Sequence, residues 1–260
     1  MKAPALLSTL RHTLVAGLIL LGCAAQAAPI NLVKNGGFEL SSAGTGQIDY
    51  NTVVNDWSSP QGYNFLFAAG SADTTGAWSW YNGPNDMALQ LWGANNGGAN
   101  PLASSSNGGN FLAADGYYGV VPIQQTIHGL TVGQTYQLSF EWAAAQQYLF
   151  HGETDSNWTV TIGDSSFSTT AHHNAEHGSS NWMHEAFTFP ATMGDALLSF
   201  LAAGTPAGHP PFSLLDGVSL VAVERPDGPQ SVVDVPEPAS LLIMGAGIGL
   251  LALVLRRRRA

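Results

Sequence analysis

From Thr135 to Trp142 apolar and polar side chains alternate without a break, with Tyr136, Leu138, Phe140 and Trp142 on one side and Gln137, Ser139 and Glu141 on the other. Period-two alternation is what a strand half-buried against a core requires. Runs of similar kind cover Asp86 to Trp92, Val120 to Ile127, Asn157 to Ile162, Glu185 to Phe189, Leu197 to Ala203 and Leu214 to Val223. Turns such as Thr131-Val132-Gly133-Gln134 and Gly163-Asp164 separate several of them. Helical periodicity is almost missing between the two ends of the chain. Strands of this size without helices between them predict an all-β fold, an antiparallel β-sandwich of the jelly-roll kind over residues 28–224. Gly93 to Asn110 reads as a long surface loop, and residues 225–234, rich in Pro and acid, read as a linker.

The two ends follow a different pattern. Ala239 to Leu255 carries no charge. As a helix it would rise about 25 Å, a little short of a bilayer core, and the stems of Arg256, Arg257, Arg258 and Arg259 would make up the difference. A buried core helix would not end in four consecutive Arg or be apolar on every face. We therefore expect a transmembrane helix at about 239–255. At the other end, Lys2 and Arg11 precede an apolar run from Leu14 to Leu21, and Ala25-Gln26-Ala27 precedes Ala28. This predicts a signal peptide over residues 1–27, cut by signal peptidase between Ala27 and Ala28. Leu20-Leu21-Gly22-Cys23 also has the outline of a lipoprotein box, with Leu in place of the usual residue before Gly. Basic residues at both ends stay cytoplasmic, so everything between them is expected to face outward.

Val235-Pro236-Glu237-Pro238, a short apolar helix and an Arg cluster, in that order, resemble the PEP-CTERM sorting signal of Gram-negative bacteria over residues 235–260. The resemblance implies recognition at Pro236, Glu237 and Pro238 by an exosortase. That enzyme removes the helix and passes the protein to the cell surface or the extracellular polysaccharide matrix. On this reading the protein is membrane-anchored only before processing.

From Ala28 to Pro238 the basic residues are Lys34 and Arg225, against all eighteen Asp and Glu, a net charge of about −16. Such a surface repels nucleic acid and anionic membrane and tolerates cations and neutral sugars. Seven Trp and eleven Phe argue against disorder. Cys23 is the only cysteine, so the exported domain is stabilised by packing or a bound metal rather than by disulfides.

Asn31-Leu32-Val33-Lys34-Asn35-Gly36-Gly37-Phe38-Glu39 opens the domain, Gly129 to Tyr136 crosses its middle, and Phe212-Ser213-Leu214-Leu215-Asp216-Gly217-Val218-Ser219-Leu220 closes it. These three stretches resemble the galactose-binding-like jelly rolls, which include carbohydrate-binding modules. In such modules the Glu of the opening motif and the Asp of the closing motif help to hold a structural Ca²⁺. Glu39 and Asp216 occupy those positions. In an alternating strand Asp216 shares a face with Leu214, Val218 and Leu220, the expected core face. A carboxylate there needs a cation or several hydrogen-bond donors, and both remain open.

Other chemistry is less specific. His172, His173, His177 and His184 cluster with Glu176 and Glu185, residue types that zinc sites use, but without the H-E-x-x-H helix pattern. The Asn, Gly and Ser around them predict an exposed loop. No nucleophile elbow, phosphate loop or paired-acid motif supports catalysis, and Glu141 reads as solvated. Trp78, Trp80, Tyr81, Tyr117 and Tyr118 lie beside Gly-rich loops. Flat aromatic faces suit the C–H surfaces of sugars, with Asn82, Asn85 and Asp115 as partners for hydroxyls; packing of these rings into the core is the alternative. The expectation is a non-catalytic exported protein that associates with polysaccharide. A structural or adhesion protein without a sugar pocket, and an anchored hydrolase, are the competing classes.

Overall fold

In the computed structural model, residues 29–81 and 87–223 are described. The expected signal peptide with Ala27 and Ala28, the expected linker at 225–234, Pro236 to Pro238, the apolar run at 239–255 and Arg256 to Arg259 lie outside the described residues. Among the described residues no helix is long and apolar enough to cross a membrane.

Eleven strands are described: β1 (Gly46–Gln47), β2 (Asn64–Ala68), β3 (Asn110–Asp115), β4 (Ile123–Ile127), β5 (Thr135–Gln146), β6 (Thr154–Ile162), β7 (Ser165–Ser168), β8 (His172–Asn174), β9 (Met183–Pro190), β10 (Ala196–Thr205) and β11 (Pro211–Ala222). They form two antiparallel sheets. The first has the order β1-β2-β3-β11-β5-β9, the second β4-β10-β6-β7, and β8 extends the β6 edge beside β7. The alternating run at 135–142 is the first part of β5. Gly163-Asp164 closes the β6–β7 hairpin, with Ile162 opposite Ser165 and Gly163 at a φ of 54° that a glycine adopts without strain.

The main core lies between the sheets. Leu66, Leu112, Leu215 and Trp142 stand opposite one another across β2, β3, β11 and β5, and they belong to the same cluster as Val160, Leu198 and Phe200 of the second sheet. The neighbouring row of the first sheet, Phe65, Ala113, Leu214 and Ala143, faces the other way. That row is buried in a second cluster with Ala72, Ala77, Leu89 and Leu91, from the connection between β2 and β3. The centre of the first sheet is therefore covered on both sides. This is why β2 and β3 read as continuous apolar runs rather than as alternating ones. Of the strand expected at 86–92, the described part, 87–92, makes only single bridges, Ala77 to Leu89 and Leu91 to Gln147, and Leu89 and Leu91 help to form this outer cover. The long loop expected from Gly93 holds a 3-10 turn at Ala94–Asn96 and gives way to β3 at Asn110.

A bulge between Asp216 and Ser219, with Gly217 at φ 60°, changes the face of β11 part-way along. Leu214 faces the outer cluster, whereas Val218 and Leu220 face the inter-sheet core. Asp216 therefore does not share one face with all three.

Candidate functional site

β3 ends at Asp115, which lines a hollow together with Tyr117 and Tyr118 from the turn that follows. Gly116 lies so close to the β10 backbone that a Cβ there would stand 2.6 Å from the carbonyl carbon of Ala203, so no larger residue fits. Asp115 Oδ1 accepts hydrogen bonds from the backbone N–H groups of Tyr117 (2.7 Å) and Tyr118 (3.0 Å), a turn stabilised by a side chain. The Tyr63 N–H donates to the Gly119 carbonyl at 2.9 Å, which ties this turn to the start of β2. The buried Tyr63 ring meets Tyr118 edge-on at 5.1 Å, and its hydroxyl donates to the Tyr81 carbonyl at 3.0 Å. Burial pushes the Tyr63 phenol well above its ordinary pKa, so it stays a donor.

Trp80, Tyr81, Tyr117 and Tyr118 are exposed around this turn; Trp80 retains 49% of its surface and Tyr118 42%. Trp80 stacks on Tyr118 with centroids 5.6 Å apart, and Tyr81 lies 6.1 Å from Tyr118. Tyr81, Asp115, Tyr117, Tyr118, Gln147 and Phe150 are among the residues that enclose a hollow of about 380 Å³. Trp80 itself lines a second hollow of about 390 Å³ with Gln47, Asp49, Tyr50 and Gln61, so the stack spans both.

Asp115 is the polar centre of the first hollow. Only 1% of it is exposed, and its Oδ2 is buried without a hydrogen-bond partner. Burial pushes its carboxyl up to about 6, against the two backbone N–H groups that pull it down. The half-satisfied carboxylate lies beside exposed ring faces with its Oδ2 closed to solvent, so a ligand hydroxyl reaches it only if the turn around it opens.

The structure thus brings together Trp80, Tyr81, Tyr117, Tyr118 and Asp115 from the sequence reading. It adds Tyr63, Gln147 and Phe150, which carry no local signal: Tyr63 leads into an apolar run, and the other two belong to an unremarkable connection after β5. Trp78 is exposed but apart, with its carbonyl accepting from the Asn51 side chain. Asn82 and Asn85 lie outside the described residues.

Glu39 and Asp216 hold the two ends of one loop. The Asn110 N–H donates to Glu39 Oε1 at 2.7 Å, while Asp216 accepts from the Ser105 hydroxyl, the Asn107 amide (3.2 Å) and the Gly217 N–H (2.6 Å). Glu141 is not merely solvated. It stands opposite Asp216 and accepts from the Ser106 hydroxyl and N–H. Burial pushes the Asp216 carboxyl up to about 7 despite its three donors, and the Glu141 charge adds to the rise. Lys34 is the only Lys or Arg among the described residues, so no basic side chain offsets this acidic group. The donor set is all hard oxygen and fits Ca²⁺ in kind.

The histidines do not form one loop cluster. His172 and His173 are on β8, His184 is on β9, and His177 lies in the turn between these strands. His173 makes ion-pair contacts with Asp155 (3.1 Å) and Glu153 (3.6 Å).

Beyond the folded domain, the end of the chain can be compared directly with a known signal. Residues 234–259 match the PEP-CTERM protein-sorting motif. The PEP-CTERM motif contains Pro236, Glu237, Pro238 and Arg256 to Arg259. It marks the chain as exported and surface-sorted and implies exosortase processing. The chain is also 27% identical over 227 residues to halomucin from Haloquadratum walsbyi; the match covers 87% of this chain and only 2% of halomucin. Solved structures with similar folds include TmCBM61 in complex with β-1,4-galactotriose (14% identity, TM-score 0.40, 75% of this chain and 99% of that one). Another is the CBM22-1 xylan-binding domain of Paenibacillus barcinonensis Xyn10C (12% identity, TM-score 0.38, 77% and 99%).

Proposed function

We propose that this exported PEP-CTERM protein binds a neutral polysaccharide at the cell surface or in the extracellular matrix, without catalysing a reaction on it. The observation that carries the reading is the hollow at Tyr117 and Tyr118, where exposed rings surround the unpartnered Oδ2 of a buried Asp115. Sugar rings present C–H faces that pack on Tyr and Trp, and equatorial hydroxyls that donate to a carboxylate or bond with an amide such as Gln147. The strongly acidic surface disfavours anionic polymers. Asp115 is the one acid among the described residues lining the hollow, whereas glycoside hydrolysis uses two carboxyl groups flanking the bond. Glu39 and Asp216 would hold a structural Ca²⁺ between the opening and closing motifs, where the ion would neutralise a buried carboxylate and clamp the 105–110 loop.

A glycan array probed with the exported protein tests the saccharide reading, followed by titration of the retained glycans. Covering the exposed face of a ring that is already half buried is worth about half of a full side-chain burial, roughly 0.8–1.5 kcal/mol. Trp80→Ala or Tyr118→Ala should therefore weaken binding by about threefold to tenfold. If no neutral glycan is retained, or if both variants bind as the parent does, the reading fails.

A further inference from the structure

The described residues contain one group of three potential metal ligands whose donor atoms lie within 4.8 Å of one another: His151, Glu176 and His177. His151 lies in the connection from β5 to β6, and Glu176 and His177 in the turn between β8 and β9. Their separations are specific. Glu176 Oε1 is 3.4 Å from His151 Nδ1 and 3.3 Å from His177 Nε2, and the two ring nitrogens are 2.7 Å apart. Three corners of a tetrahedron with bonds of about 2.0–2.1 Å lie about 3.3–3.4 Å apart. Two of the three edges already match. The third is an imidazole–imidazole hydrogen-bond distance of 2.7 Å that an ion would open by about 0.6–0.7 Å.

The two segments are held in place by groups other than the three ligands. Gln146 is fully buried at the end of β5; its Nε2 donates to the Gly152 carbonyl (2.9 Å), and its Oε1 accepts the His177 N–H (3.0 Å). One side chain thus fixes both the backbone just after His151 and the backbone of His177. The Trp92 ring lies 4.0 Å from that of His177 and 6.2 Å from that of His151, and its Nε1 donates to the Phe150 carbonyl (2.9 Å). The Asn174 amide closes the turn on the Gly178 carbonyl at 2.7 Å, and the His177 carbonyl accepts from the Ala99 N–H. His177 itself holds a φ of 58°, a left-handed conformation uncommon outside glycine but less so for His than for most residues. The side of the cluster away from Trp92 is open: the His151 side chain is 69% exposed and that of Glu176 49%, against 25% for His177.

We infer that His151 Nδ1, His177 Nε2 and Glu176 Oε1 form a binding site for a divalent transition-metal ion of the zinc class, with a further coordination position open to solvent. Two imidazoles and one carboxylate favour Zn²⁺, Ni²⁺ or Cu²⁺ over Ca²⁺ and Mg²⁺, which take oxygen. The site is separate from the Glu39–Asp216 pair and does not depend on the saccharide reading. Bound metal would cross-link the two connections on the exposed side, where Gln146 already links them on the buried side.

The test uses the full chain, purified in mild detergent, stripped with chelator, and titrated with Zn²⁺ alone by calorimetry and with Co²⁺ by visible absorption. The expected result is one ion per chain and Co²⁺ d–d bands of a low-coordinate site. His151→Ala, Glu176→Gln and His177→Ala should each weaken Zn²⁺ binding by about tenfold or more. His172→Ala and His184→Ala should leave it unchanged. Because His177 packs on Trp92, His151→Ala decides the matter: its side chain is the most exposed, and its metal-free melting temperature should equal that of the parent. Failure of the parent to take up Zn²⁺, or uptake undiminished by His151→Ala, overturns the proposal and leaves the cluster as a hydrogen-bonded pair with a carboxylate neighbour.

Discussion

Replacing Asp115 by Asn should make the fold more stable and saccharide binding weaker. The argument starts from the unpartnered Oδ2 of a carboxylate that is 99% covered. Its pKa in the fold is about 6, against an ordinary 3.8, with burial as the largest cause. An acid with a raised folded pKa favours the fold most when protonated. The associated stability is therefore complete below the unfolded value and is lost as pH rises from about 4 through about 6. At about 1.4 kcal/mol for each factor of ten, ionised Asp115 costs about 3 kcal/mol above that window. Asn keeps the Oδ1 acceptor for the Tyr117 and Tyr118 N–H groups and removes the charge, so the variant should gain most of this at pH 7.5 and almost nothing at pH 3.5. For a domain of this size each kcal/mol moves the melting temperature by about 2–4 °C, so the gain should be about 6–12 °C. Thermal melts of parent and variant between pH 3.5 and 8 measure it, and the Asp216 contribution, which has the same sign, cancels between the two. The saccharide hydrogen bond to a charged acceptor is worth about 1.5–3 kcal/mol, so Asp115→Asn should lose about tenfold to a hundredfold in affinity. A variant no more stable than the parent at pH 7.5 would refute the burial argument. A stabilised variant that binds as tightly as the parent would remove Asp115 from the binding site.

Two further outcomes are expected. If Glu39 and Asp216 hold Ca²⁺, saturation at about 100 times the dissociation constant adds about 2.7 kcal/mol, so chelation should lower the melting temperature by about 5–10 °C. Asp216→Asn or Glu39→Gln should abolish that sensitivity, whereas identical parent melts with and without chelator would assign Asp216 to its three protein donors alone. Replacing Pro236, Glu237 and Pro238 by alanines should block processing and surface delivery, as immunoblots of cell fractions would reveal; normal delivery of that variant would refute a role for the motif in sorting.

Much of the second sheet could be read from the sequence because its strands have unlike faces. β6 and β10 each turn one face to the inter-sheet core and the other outward, so burial alternates residue by residue and polarity follows it. The same logic exposes the first half of β5. It fails for β2 and β3, where Phe65-Leu66-Phe67 and Phe111-Leu112-Ala113 are buried on both faces and no period remains. The cover that buries them includes Ala72, Ala77, Leu89 and Leu91, which lie outside the named strands, two of them in a single bridge to each other. The sorting motif is also legible in the sequence, since it is recognised as a linear string. Asp216 was marked by its type and by the motif around it, but its face was set by a bulge at Gly217, and a one-residue slip in register exchanges the two sides of a strand. The aromatic hollow needed Tyr63, just ahead of β2, to meet Asp115 at the end of β3 and Tyr118 in the turn after it. Likewise, His177 found its partner not among the nearby histidines but in His151, 26 residues earlier in the chain. Residue types announce which chemistry is available; the long-range pairing of β5 with its neighbours, and the buried Gln146 at its end, decide which of those residues meet.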